Sequence, residues 1–352
     1  MNNPDHNIYI HVPFCKSKCN YCAFFSRACS APDWEKYTDE ICKEIKYWGI
    51  QLGKICVPTV FFGGGTPSLM PPVSFQKIIN CIRNNFILSH DAEITLESNP
   101  GTLDAEKLRN FKNAGMNRLS IGVQSLDDNK LKFMGRCHNT QDALNLIHMA
   151  QDMGLRVSAD FIYGLPGDSA EAVVELCKQI NNIGLKHVSM YELTIEKNTP
   201  FGRMNLDMPS NEDMAKMYMA IDEHLTLSRY EVSNYCAPGH ECRHNKNIWD
   251  GAPYIGIGYG AAGRIFIDNT WHEQLGGGVR FEKISNNTRA IEMILTGMRT
   301  ISGCQLTDDV KNVIDIDWVL QHPEYVTIQN NRISATAQGI LVLDDIVVNI
   351  IR

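Results

Sequence analysis

The sequence predicts an α/β fold in which helices cover a parallel sheet. Up to about residue 227, a run of β-branched or apolar residues is followed by a loop and then by a segment with helical periodicity, and this unit occurs six times. The intervals between the runs leave room for one crossover helix each, which parallel strands require. The predicted strands span residues 7–12, 58–62, 93–97, 118–122, 157–162 and 187–192.

The predicted helices have one apolar face. After the fourth strand this face consists of Ala143, Leu146, Ile147 and Ala150. The helix after the sixth strand opens with Ser210 and Asp213 in the spacing of a capping box. Periodicity alone is compatible with an open doubly wound sheet and with a barrel. In both architectures, functional side chains lie at the carboxyl ends of the strands.

The pattern changes after about residue 285. Short helices are followed by two predicted strands, around 326–333 and 340–350, with a turn between them. We therefore expect a core domain over residues 1–265 and a small C-terminal domain over residues 266–352.

Composition narrows the class of protein. The 352 residues carry a formal net charge of −7 without a long run of Lys or Arg, so nucleic acid is not an expected partner. The first residues lack the pattern of a signal peptide, and the apolar stretches are interrupted by charges before they reach the length of a membrane span. A cytoplasmic protein is expected, whose twelve cysteines are reduced thiols.

Three cysteines stand apart from the rest. Cys15, Cys19 and Cys22 follow the first strand directly in a C-x3-C-x2-C arrangement. Three thiolates in one short loop can bind three irons of a cubane cluster and leave the fourth iron open to another ligand. The alternatives are three incidental cysteines or a zinc site without its fourth ligand, although structural zinc sites usually space their ligands as two pairs.

Polar and glycine motifs follow the other strands. Strand two ends in the residues Phe-Phe-Gly-Gly-Gly-Thr-Pro of 61–67, where missing side chains let a ligand approach the backbone. Strands three, four and five end in Glu-Ser-Asn-Pro (97–100), Gly-Val-Gln-Ser (122–125) and Asp-Phe-Ile-Tyr-Gly-Leu-Pro (160–166). Carboxylates and amides at these edges are suited to bind hydroxyl and ammonium groups.

The cysteine loop resembles the signature of the radical SAM superfamily. The resemblance implies a (β/α)6 partial TIM barrel, followed here by a small α+β domain with a winged-helix-like shape. It also implies a [4Fe-4S] cluster whose open iron binds S-adenosyl-L-methionine (SAM). In that superfamily an electron from the cluster cleaves SAM to methionine and a 5'-deoxyadenosyl radical.

A narrower resemblance covers residues 7 to about 265. The segments 9–15, 63–67 and 160–166, together with Gln124 and Arg136, are similar to the oxygen-independent coproporphyrinogen oxidase family. By this resemblance, the residues that contact SAM are Tyr9, Gly64, Gly65, Thr66, Glu97, Gln124, Arg136 and Asp160.

Three features favour the heme-chaperone branch of that family, HemW, over its oxidase branch. The oxidases carry a fourth cysteine where this sequence has Phe24, and they have a long extension before the cysteine loop, where this chain has fourteen residues. Residues 230–249 resemble the HemW pattern that ends in H-N-x-x-Y-W, with Ile248 in place of the tyrosine. Ala262 also departs from the histidine that is frequent at its position.

The resemblance implies a protein that binds heme as cargo and transfers it to apo-proteins such as respiratory enzymes. An electron donor is a second implied partner, and membrane association would arise only through a client. The alternatives are a coproporphyrinogen III oxidase (dehydrogenase) in porphyrin biosynthesis and a radical SAM enzyme with a non-porphyrin substrate. His244 is the candidate heme ligand, with Cys242 beside it. A loop of hydrogen-bonded histidines, or a zinc site that includes Cys236 and His240, is the alternative for this segment.

Overall fold

The computed structural model describes residues 3–352. Over these residues the strands are β1 (Asn7–Val12), β2 (Phe14–Cys15), β3 (Arg27–Ala28), β4 (Cys56–Gly64), β5 (Ile87–Ser98), β6 (Arg118–Gln124), β7 (Arg156–Tyr163), β8 (His187–Glu192), β9 (Ser228–Glu231), β10 (Asn234–Cys236), β11 (Tyr254–Ile257), β12 (Gly263–Ile267), β13 (Thr270–Gln274), β14 (Phe281–Lys283), β15 (Cys304–Gln305), β16 (Val326–Gln329) and β17 (Arg332–Ala335). The helices are α1 (Trp34–Leu52), α2 (Pro72–Asn85), α3 (Ala105–Asn113), α4 (Asp128–Phe133), α5 (Thr140–Asp152), α6 (Ala170–Ile183), α7 (Asn211–His224), α8 (Arg243–Trp249), α9 (Asn286–Gly297), α10 (Asp308–Val313), α11 (Ile316–Gln321) and α12 (Leu343–Ile350).

The six predicted strands form one parallel sheet in the order β1-β4-β5-β6-β7-β8, as expected for a (β/α)6 partial barrel. β11 adds a further parallel strand beside β1, and β12, β13 and β14 continue from it in antiparallel pairs. β10 and β9 extend the opposite edge. The first and sixth predicted strands have the predicted bounds, and the other four are longer than predicted.

Side chains alternate between two environments along the parallel strands. In β1, Ile8 and Ile10 are fully buried in the apolar core between strands and helices. In β6, Leu119 and Ile121 occupy the same layer, and the intervening Ser120 points into the barrel, where its hydroxyl donates to Asp160 of the neighbouring strand β7 at 3.2 Å. Parallel sheets that are buried on both faces usually have continuous apolar strands. The interior of this barrel is instead polar.

The segment 237–249 closes the amino-terminal end of the barrel. The guanidinium groups of Arg118 and Arg156, at the first residues of β6 and β7, donate to backbone carbonyl groups of residues 239–241 at 2.9–3.3 Å. The backbone N–H of His244 donates to Glu93 Oε1 at 3.0 Å. The H-N-x-x-x-W motif therefore lies at the end of the barrel opposite to the cysteine loop.

The C-terminal domain has its own apolar core, formed by residues between Ala290 and Ile350. Its order is a helix, a strand, two helices, two strands and a final helix, and the three strands form an antiparallel sheet in the order β15-β17-β16. This order is the winged-helix-like arrangement that the sequence predicts. The predicted boundary at residue 265 lies inside β12, whereas the large sheet continues to Lys283.

One strand prediction for this domain is wrong. The segment 326–333 contains β16 and the start of β17, but residues 340–350 form a 3₁₀ turn and helix α12 instead of a strand. The buried side chains of this segment are Leu343, Ile346, Val347 and Ile350. Their i, i+3, i+4, i+7 spacing is helical, and the run of apolar residues around them conceals that period.

No helix within residues 3–352 combines the length and the apolar character needed to cross a membrane.

A substitution in α1 tests the packing of β14 against the barrel. Trp48 is fully buried, and its ring lies 5.4 Å from the ring of Phe281 in β14. We expect Trp48→Ala to lower the free energy of unfolding by about 3–5 kcal/mol, because it leaves a large cavity. Ile50→Ala in the same helix is the control, since Ile50 is 79% exposed and its loss should cost less than about 0.5 kcal/mol. Equal effects of the two substitutions in denaturant unfolding would contradict this packing.

Candidate cofactor-binding site

The cysteine loop is anchored at the carboxyl end of the barrel. The N–H groups of Gly65 and Thr66 donate to the carbonyl groups of Val12 and Phe14 at 2.7 and 2.8 Å. A Cβ atom on Gly65 would lie 2.6 Å from the Phe14 carbonyl oxygen and 2.9 Å from Cys15 Sγ. Glycine is therefore required here so that the cysteine loop can approach the end of β4.

The three cysteines line a cavity of about 300 Å³, which we call the cofactor cavity. The other predicted residues in its wall are Gly64, Gly65, Thr66, Glu97, Gln124, Arg136 and Asp160. The structure thus brings ten of the twelve predicted residues to one site. Gln124 has a φ of 70°, a left-handed conformation that is uncommon for a residue other than glycine.

Arg136 connects the cysteine loop to the strand ends. Its Nη2 donates to Asn99 Oδ1 at 2.5 Å and to the Gly122 carbonyl at 2.7 Å, and its Nη1 lies 3.5 Å from Cys19 Sγ. Asn99 in turn donates to Thr66 Oγ1 at 3.0 Å. Arg136 thus fixes the position of Cys19 relative to the ends of the strands.

Two carboxyl groups lie deep in the cofactor cavity, and neither forms an ion pair within residues 3–352. Glu97 accepts a hydrogen bond from the N–H of Gly64 at 3.1 Å, and Asp160 accepts one from Ser120 at 3.2 Å. Burial, with the nearby charge of Asp160, raises the pKa of Glu97 to about 8. Burial also raises the pKa of Asp160. Because a cation next to these groups would favour their charged forms, they are suited to an ammonium or sulfonium ligand.

The donor set fits an iron–sulfur cluster. Cys15, Cys19 and Cys22 are free thiols at one cavity wall, and burial raises the pKa of Cys22. Within residues 3–352, no three Cys, His, Asp or Glu side chains are placed to bind one metal ion together. A cubane does not need that placement, since each thiolate binds a different iron.

The remaining two predicted residues, Tyr9 and His244, line a neighbouring cavity of about 350 Å³ inside the barrel. We call it the barrel cavity. It shares Glu97, Ser120, Asp160 and Tyr191 with the cofactor cavity. Its wall also contains Ile248 and Ala262, the two positions where the sequence departs from the family pattern. The Tyr9 hydroxyl lies 3.0 Å from His11 Nδ1.

His244 is neutral and has one free ring nitrogen. Thr59 uses its hydroxyl proton to donate to Asn7 Oδ1 at 2.8 Å, so His244 Nδ1 must donate to Thr59 Oγ1, 2.7 Å away. Nε2 is then unprotonated, and it is buried without a hydrogen-bond partner in the described structure. Burial lowers the pKa of His244 to about 3. Its ring stacks on Phe61 with 5.0 Å between the centroids.

Two residues with contacts in these cavities, Asn99 and Arg118, are not among the site residues predicted from the sequence. Asn99 connects Arg136 to Thr66, and it follows the predicted Glu97 by two positions, which places it at the same strand end. Arg118 lies in the wall of the barrel cavity with 2% of its surface exposed. The sequence signal for Arg118 was a charged residue at the first position of a mostly apolar strand.

The chain is similar in sequence to a known superfamily and to known proteins. Residues 9–180 match the model of the radical SAM superfamily. The chain is 38% identical to the heme chaperone HemW of Escherichia coli over 267 residues, which cover 74% of this chain and 71% of that protein. It is 35% identical to the heme chaperone HemW of Synechocystis over 323 residues, or 84% and 78% of the two chains.

A solved structure of coproporphyrinogen III oxidase (HemN) from Escherichia coli superposes with a TM-score of 0.81. The superposition covers 99% of this chain and 90% of that one, at 18% sequence identity. At this identity the likeness shows the fold, a radical SAM partial barrel.

Substitution of the loop cysteines tests the cluster site. Cys15→Ser, Cys19→Ser or Cys22→Ser should each abolish the content of about four irons and four sulfides per chain after anaerobic reconstitution. Cys137→Ser is the control, because this exposed thiol lies 3.0 Å from Ser17 of the same loop but outside the predicted ligand set. Iron and sulfide analysis gives the result, and loss of the cluster in Cys137→Ser alone would contradict the assignment.

The raised pKa of Glu97 predicts a pH-dependent stability. The neutral carboxyl stabilises the fold fully below its unfolded pKa of 4.5, and this contribution is lost as the pH rises to about 8. In protein without cofactors, Glu97→Gln should therefore gain stability relative to wild type between pH 5 and pH 9, measured by denaturant unfolding. The exposed Glu106→Gln should follow wild type at every pH. A constant difference between Glu97→Gln and wild type would refute the shift.

Proposed function

Because this chain belongs to the radical SAM superfamily and, within it, to the family of the heme chaperone HemW, we propose that it binds heme and transfers it to apo-proteins. The observation that carries this proposal is the 38% identity to the heme chaperone of Escherichia coli across 71% of that protein. Apo-forms of respiratory enzymes are the proposed clients. Three further points remain predictions. They are an electron donor as a second partner, a cytoplasmic location, and membrane association that arises only through a client.

The residues of the cofactor cavity have separable roles in this proposal. Cys15, Cys19 and Cys22 would hold three irons of a [4Fe-4S] cluster, and the cluster would bind SAM and supply an electron to it. Arg136 and Asn99 hold the cysteine loop against the strand ends. The remaining wall residues are proposed to bind SAM, with Glu97 and Asp160 facing its cationic groups.

The cysteine loop favours the chaperone over the oxidase, because Phe24 stands where the oxidases carry a fourth cysteine. The barrel cavity of about 350 Å³ adjoins the cofactor cavity and lies within the range of about 300–1,000 Å³ that ligand cavities span. Radical abstraction requires the substrate carbon to be held close to the reactive group, whereas a heme carrier has no such requirement.

His244 remains a proposed heme ligand, although the structure encloses its ring. Its neutral imidazole and free Nε2 suit coordination to iron. However, the ring is enclosed at the amino-terminal end of the barrel, with 2% of its surface exposed. Coordination of a porphyrin iron by Nε2 would therefore require the groups that enclose the ring to move.

The proposed function is tested by two assays on one anaerobically reconstituted sample. A heme titration should show saturable binding, and an assay with coproporphyrinogen III, SAM and a reductant should yield no protoporphyrinogen IX. HemN from Escherichia coli serves as the positive control for turnover. Formation of protoporphyrinogen IX would favour the oxidase function over the chaperone. Absence of both heme binding and coproporphyrinogen turnover would favour a radical SAM enzyme with a non-porphyrin substrate.

A further inference from the structure

We propose that heme docks in a third cavity, on the outer side of the cysteine loop, between this loop and helix α1. We call it the loop cavity. Its volume is about 810 Å³, more than twice that of the barrel cavity. Residues 23–27 form one wall, and Tyr37, Ile41, Gly258 and Tyr259 contribute to the rest. This inference rests on the proposed function and names the surface that performs it.

Three aromatic side chains line the loop cavity and remain exposed. Phe24, Phe25 and Tyr259 are 69%, 51% and 73% exposed, respectively. The rings of Phe25 and Tyr259 contact each other edge to face at 4.9 Å between centroids. Isolated exposed apolar residues need no explanation, but an exposed aromatic group around a cavity indicates a binding surface for a flat, apolar ligand.

The base of the loop cavity is rigid. Phe14 and Tyr37 are each 7% exposed and pack edge to face at 5.7 Å. The Tyr37 hydroxyl donates to the His11 carbonyl at 2.8 Å, and the Phe25 carbonyl lies 2.7 Å from His11 Nε2. The exposed rings are thus attached to a fixed frame, which lowers the entropic cost of ordering them around a ligand.

Two basic side chains of the loop cavity are available to the two propionates of heme. Arg27 and Lys36 line the cavity, and neither forms an ion pair in the part of the chain that the structure describes. The wall also contains Asp33, Glu40 and Glu44, of which Glu40 is exposed and the other two accept hydrogen bonds from backbone N–H groups. Asp33 accepts a hydrogen bond from the Lys36 N–H at the start of α1, and Glu44 accepts one from the Gly258 N–H.

The loop cavity also adjoins the cluster site. Lys18, Phe24 and Ser26 line both the loop cavity and the cofactor cavity. Lys18 Nζ donates to the carbonyl groups of Phe24 and Ser26, each at 3.1 Å. One short segment therefore separates the proposed heme from the proposed cluster. Heme can dock on its outer side while the barrel remains closed.

Heme titration of the reconstituted full chain, followed by absorption spectroscopy, tests this site. The double substitution Phe25→Ser and Tyr259→Ser should raise the heme Kd by about tenfold or more, because it removes a stacking surface that lies outside the cofactor cavity. Arg27→Glu with Lys36→Glu should also weaken binding, through repulsion of the propionates. Leu320→Ser and Lys311→Glu are matched controls on the C-terminal domain, and Leu320 is 68% exposed. Iron content and SAM binding should stay at wild-type levels in all four variants.

The outcomes separate the site from the function. One saturable site in wild type that is weakened by both loop-cavity variants and by neither control supports the proposal. Wild-type affinity in both loop-cavity variants, with loss in His244→Ala, would overturn the loop cavity and leave the chaperone function intact. Absence of saturable heme binding by wild type would overturn the proposed function and the site together.

Discussion

Every second side chain of the parallel strands points into a polar barrel interior. The walls of the cofactor cavity and of the barrel cavity both depend on this alternation. A buried charge is tolerated only when it is paired or hydrogen bonded. Glu93 meets this requirement with Arg156, whose Nη1 lies 3.3 Å away. Glu97 and Asp160 meet it only with uncharged donors. The interior therefore retains two carboxyl groups that form no ion pair within residues 3–352, and both face the cofactor cavity.

The cysteine loop has two faces with different chemistry. Cys15, Cys19 and Cys22 line the cofactor cavity together with Tyr21 of the same loop. Tyr21 is also partly buried against the cluster of apolar residues around Phe201. Phe24 is 69% exposed and lies between the two faces, because it lines both the cofactor cavity and the loop cavity. The residues that follow the last cysteine thus form the exposed aromatic surface to which we assign heme.

The histidine motif and the cysteine loop lie at opposite ends of the barrel. His244 is held by Thr59 in the first half of β4 and by Glu93 in the middle of β5. The cofactor cavity lies at the strand ends, and the barrel cavity lies between it and His244. The proposed contact at His244 and the proposed loop cavity are therefore separate places in the fold.

The sequence by itself determined the features that depend on local periodicity and spacing. Strands β1 and β8, the Ser210 cap of α7 and the C-x3-C-x2-C loop follow from residues that are neighbours in the chain. Family resemblance added the carboxylates and glycines at the strand ends. Only the tertiary structure decided the positions of Tyr9 and His244, the role of Asn99, the helix over 343–350 and the continuation of the large sheet to Lys283. These depend on contacts between residues distant in sequence, such as Thr59 with His244, and no local pattern encodes which distant partner a buried polar group will find.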